Sequence, residues 1–96
     1  MPLPIQSVAS LAERPHWTVT NGRAVFAPVH GGWRATVRRL RDPARDEGYH
    51  VAIADRTGAI RFMTETASLG DAVRNAERGV LARNAIRIAP ISRFSG

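Results

Sequence analysis

The sequence predicts an α+β domain: an antiparallel sheet of four to five short strands with one C-terminal amphipathic helix packed on one face. Three observations predict it. Between positions 16 and 64, short runs of alternating apolar and polar residues are separated by turn signals, as expected of half-buried strands. From Leu69 the apolar spacing changes to fours and threes, the helical period. Finally, 22 of the 96 residues are Leu, Ile, Val or Phe, enough for one hydrophobic core in a chain too short for two domains.

Residues 1–15 carry Pro2, Pro4 and Pro15 around a mildly helical stretch, Ser7 to Glu13, and read as a flexible N-terminal arm. The domain is expected over residues 16–86. His16 to Thr20 and Arg23 to Phe26 flank Asn21-Gly22, a pair that accepts the positive φ angles of a type I′ hairpin turn. Pro28 ends the second strand and Gly31-Gly32 bends the chain into Trp33 to Arg38. Alternation there puts Trp33, Ala35 and Val37 on one face and Arg34, Thr36 and Arg38 on the other. A polar loop around Asp42 to Gly48 leads to the strand Tyr49 to Asp55, and Arg56-Thr57-Gly58 turns it into Ile60 to Thr64. With Tyr49, Val51, Ile53, Ile60 and Phe62 inward, His50, Arg61 and Met63 join the arginine face. Ser68 with Asp71 three residues on marks a helix start. Leu69, Val73, Ala76 and Val80 then form an apolar stripe to cover the sheet, leaving Arg74, Glu77 and Arg78 toward water. Gly79 weakens the helix or permits close packing, and the helix ends at or just beyond Asn84. Residues 87–96 read as an extended tail.

Charge narrows the class of partner. The formal net charge is +6, and all 14 basic residues are Arg. Recognition by the forked guanidinium or, as the weightier explanation, the codon usage of a GC-rich genome accounts for the absence of Lys. Without Cys there is no disulfide, thiolate nucleophile or Cys-ligated zinc. With no signal-like N-terminus and no membrane-length apolar run, a cytoplasmic setting is expected.

The chemical constellations point away from catalysis. His16, His30 and His50 lack metal-ligand spacing, so neither a metal nor another cofactor is expected. His30-Gly31-Gly32 reads as a turn, since no Gly-x-Ser-x-Gly accompanies it. Asp42, Asp46 and Glu47 alternate with Arg41 and Arg45, the pattern of a solvated loop rather than of paired catalytic carboxylates. A phosphate loop needs a Lys that the chain lacks. The expected reading is a non-enzyme. What remains is a basic sheet face of Arg34, Thr36, Arg38 and Arg61, extended by Arg39 and Arg41, suited to DNA phosphates and base edges. Trp17 and Trp33 read as core anchors rather than stacking platforms.

Gly32-Trp33-Arg34-Ala35-Thr36-Val37-Arg38, with Phe62-x-Thr64 and the helix at Ala72 to Glu77, resembles the arm-type DNA-binding domain of tyrosine recombinases over residues 32 to 80. That resemblance implies three strands with a C-terminal helix, DNA read by the sheet, and Arg34, Thr36, Arg38 and Arg61 at groove-facing positions. Ala54 to Gly58 with Ala67 to Ala76 is similar to the strand, turn and helix of HicB-like antitoxins, with Thr57 in place of the family's turn proline. That second likeness implies binding to a partner protein. The favoured expectation is a small DNA-binding protein, such as an accessory regulator of a mobile element. The alternative is a protein-binding inhibitor or antitoxin-like module, for example a phage-encoded inhibitor of a defence nuclease, meeting an acidic surface through Arg74, Arg78 and Phe94. Exposed sheet edges would also allow a homodimer.

Overall fold

The computed structural model of the protein describes residues 7–40 and 48–88. Five strands, β1 (Trp17–Thr20), β2 (Arg23–Phe26), β3 (Arg34–Arg39), β4 (Tyr49–Ala54) and β5 (Ile60–Thr66), form one sheet in sequence order. Each is antiparallel to its neighbour. Helix α1 (Leu69–Ile88) follows, and a 3₁₀ helix, Val8–Glu13, precedes them. This is the expected α+β arrangement, with the strand number at the upper end of the expectation.

Local chemistry explains the turns. Asn21 (φ +52°) and Gly22 (φ +75°) both adopt the left-handed region, as the type I′ hairpin between β1 and β2 requires. Between β4 and β5 the Asp55 carboxylate organises the turn. Its Oδ1 accepts from the Thr57 backbone N–H at 2.8 Å, the Thr57 hydroxyl at 2.6 Å and the Ala59 N–H at 3.2 Å. Gly58 (φ +91°) completes it. Ser68 caps α1, its Oγ accepting from the Asp71 N–H at 3.1 Å.

Described elements cover one face of the sheet and not the other. Trp17, Ala24, Phe26, Ala35, Val37, Tyr49, Val51 and Ile53 are buried on the inner face. Helix α1 covers the β3, β4 and β5 side through Leu69, Ala72, Val73, Ala76 and Val80, while the 3₁₀ helix covers β1 and β2. Helix α1 lies close. A Cβ on Gly79 would stand 2.4 Å from Ile53 Cδ1, so the glycine permits packing that any side chain would obstruct.

Several expectations change. Residues 7–14 are part of the domain rather than a free arm: Leu11 is fully buried and Arg14 binds Glu77, so the ordered domain begins before residue 16. Leu11, with Val8 packed beside the core, anchors this six-residue 3₁₀ helix, too short to show a period. Helix α1 continues beyond Asn84 to Ile88, taking residues 87 and 88 from the expected tail; 1–6, 41–47 and 89–96 lie outside the described residues. Trp33 precedes β3 and is half-buried, its backbone N–H donating to Asn84 Oδ1 at 3.2 Å. The Arg83 guanidinium lies 5.7 Å from the Trp33 ring centroid and 5.5 Å from that of Phe62, between the two aromatics.

Candidate nucleic-acid interface

The outer face is built by strand parity. Pairing sets Arg23 of β2 directly opposite Arg38 of β3, and Arg38 opposite His50 of β4. The row ends at Glu65 of β5. One pleat away, Thr18, Val25, Thr36, Ala52 and Met63 cross the five strands. A further pleat brings Arg34, Ala54 and Ile60 into line. No described element packs over these rows.

Arg23, Arg34 and Arg38 are exposed, and none has a carboxylate partner among the described residues. Three described acids are engaged elsewhere. On the covered side, Glu77 Oε2 accepts from the buried Trp17 Nε1 at 2.7 Å while Arg14 Nη2 donates to both Glu77 oxygens at 3.1 Å. Asp71 pairs with Arg74 at 3.7 Å and Asp55 with Arg61 at 2.8 Å. The Thr57 hydroxyl foremost, with the Arg61 guanidinium, holds the Asp55 carboxyl well below the usual carboxylate range. Two like charges directly opposite in an antiparallel pair disfavour the sheet, so the Arg23 and Arg38 juxtaposition is a local cost that an anion would relieve.

Arg34, Thr36 and Arg38 share the outer face of β3, as alternation predicts. Arg39 does not join them. It closes β3 opposite Tyr49, on the parity of the inner face, and is exposed at the strand end. Arg61 is displaced by a β-bulge: Ile53 pairs with Phe62 but Ala54 pairs with Ile60, leaving Arg61 as the extra residue, with its Nε on Asp55. Ile60 therefore faces outward rather than inward, 58% exposed. Phe62 keeps the inner face at the sheet edge. Arg74 and Arg78 are exposed on α1; Arg41 and Phe94 lie outside the described residues.

Sequence reasoning missed two basic residues. Arg23 was legible from parity with Val25, but its meeting with Arg38 depends on a β2 to β3 register that no local signal sets. Arg56 packs its side chain over Gly32 at the Arg34 end of the face, in space that a Cβ on that glycine would take. A groove of about 740 Å³ between the β2 to β3 loop and α1 was also missed, with Pro28, Val29, Leu81 and Asn84 in its walls.

Comparison with family models, with curated proteins and with solved structures yields no match. No described helix is long and apolar enough to cross a membrane.

Proposed function

We propose that the protein binds duplex DNA through the outer face of its sheet, with Arg23, Arg34 and Arg38 on the phosphates. The observation that carries this reading is a face that no described element covers, bearing three guanidinium groups with no carboxylate partner among the described residues. Spacing supports it. Four residues of extended strand separate Arg34 from Arg38, a span of about 13 Å, close to the ~12 Å width of the B-DNA major groove. Arg34 can therefore meet one phosphate strand while Arg38 and its neighbour Arg23 meet the other.

With β3 crossing the groove, the five strands extend about 19 Å along it at the usual spacing of ~4.8 Å. With the guanidinium groups at the flanking phosphates, backbone contacts dominate over base reading. Binding is accordingly expected to depend strongly on salt and only weakly on sequence.

Fluorescence anisotropy with a labelled 20-base-pair duplex tests the reading. Arg34→Gln and Arg38→Gln should each weaken binding about fivefold, roughly 1 kcal/mol for a lost charge-assisted contact. Arg78→Gln, on the helix, should change it less than twofold. Equal sensitivity at Arg78, or no binding at low salt, would overturn the proposal and favour a protein partner on the helix side.

A further inference from the structure

The second inference rests on the DNA-binding reading and concerns which duplex the face accepts. Between the row with Arg34 and the row with Arg23 and Arg38 lies the row of Thr18, Val25, Thr36, Ala52 and Met63, whose three apolar members are Val25, Ala52 and Met63. Val25 and Ala52 are half-buried and Met63 is 60% exposed. None of these three side chains donates a hydrogen bond, and only the weak thioether of Met63 can accept one. Thr36 at the centre and Thr18 at the β1 edge supply the two hydroxyls of the row.

We infer that this apolar row selects deoxyribose over ribose, so that the face takes a DNA duplex in preference to an RNA duplex. The two arginine rows fit a groove whose flanking phosphates are about 13 Å apart along β3. In B-DNA that groove exposes base edges, including thymine methyls that suit apolar side chains. A-form RNA has a narrow, deep major groove, so only its wide, shallow minor groove offers a comparable span, and 2′-hydroxyls line that groove. Held by the same arginines, RNA would press those hydroxyls against Val25, Ala52 and Met63. They would lose water and gain almost no hydrogen bonding in return.

The same face also disfavours single strands. The aromatic side chains of Trp17, Phe26, Tyr49 and Phe62 belong to the inner-face register, and Trp33 precedes β3. Among the described residues the outer rows therefore hold no Phe, Tyr or Trp on which unpaired bases could stack.

The test compares DNA and RNA duplexes of one sequence, with single-stranded DNA, by anisotropy at about 50 mM salt. Wild type should bind the DNA duplex at least tenfold more tightly than the RNA duplex, about 1.4 kcal/mol. Met63→Gln, alone and with Val25→Thr, adds hydrogen-bonding atoms at little change in volume. These variants should narrow the ratio to threefold or less, chiefly by tightening RNA, with an unchanged circular dichroism spectrum. Wild-type affinities within threefold of each other, or a ratio untouched in both variants, would overturn the selectivity while leaving DNA binding standing. Absence of binding to either duplex would overturn the underlying reading instead.

Discussion

Helix α1 stays on the inner face because Gly79 lets it approach Ile53, and that contact yields a stability prediction of definite sign. Replacing Gly by Ala inside a helix ordinarily stabilises by about 0.8–1 kcal/mol. Here the added methyl would stand 2.4 Å from Ile53 Cδ1, in a core where Ile53 is 1% exposed and has little room to yield. Overpacking of this kind costs about 1–3 kcal/mol, so Gly79→Ala is expected to be neutral or destabilising by up to about 2 kcal/mol. Ile53→Val removes Cδ1 and alone costs about 0.5–1.5 kcal/mol. The next contact of the new methyl, Arg83 Nη1 at 3.4 Å, is the end of a flexible side chain. In the Ile53→Val background Gly79→Ala should therefore stabilise by about 1 kcal/mol. Urea unfolding of the four proteins gives a coupling energy, expected at about 1–3 kcal/mol. Additivity within about 0.5 kcal/mol, with Gly79→Ala stabilising wild type, would refute the close-packing argument.

Other perturbations follow from the same contacts. Glu77→Ala should destabilise by about 2 kcal/mol, because the buried Trp17 Nε1–H loses its charged acceptor, whereas Glu77→Gln keeps an acceptor and should cost under about 1 kcal/mol. Denaturant midpoints of the two variants separate these outcomes. The depressed Asp55 carboxyl stabilises the fold at every pH above its unfolded value near 3.9, and that stability fades as pH falls below it toward the folded value. Asp55→Asn should accordingly lower the melting temperature at pH 7, with the gap from wild type narrowing by pH 2.5; a constant gap across that range would contradict the assignment.

Much of this architecture was legible in the residues because the signals are local. Asn21-Gly22 declares its turn through backbone conformation, Ser68 declares the helix start through its hydroxyl, and alternation assigns Arg34, Thr36 and Arg38 to one face. What escaped depends on distant partners. Whether Arg61 or Ile60 lies opposite Ala54 turns on one bulged residue, and a shift of one reverses every face assignment beyond it. Leu11 enters the core from a segment too short to show periodicity. The Arg23 and Arg38 pair exists only once the loop of residues 27–33 has fixed the register between β2 and β3.

The central claim is that three guanidinium groups of the outer face hold DNA phosphates, and the salt dependence of wild-type binding tests it most directly. Three phosphate contacts give a slope of about −2.7 in log affinity against log salt, so affinity should fall about 40-fold between 50 and 200 mM. A slope near that value supports the account. Affinity that stays flat across the range, or no detectable binding at 50 mM, would contradict it.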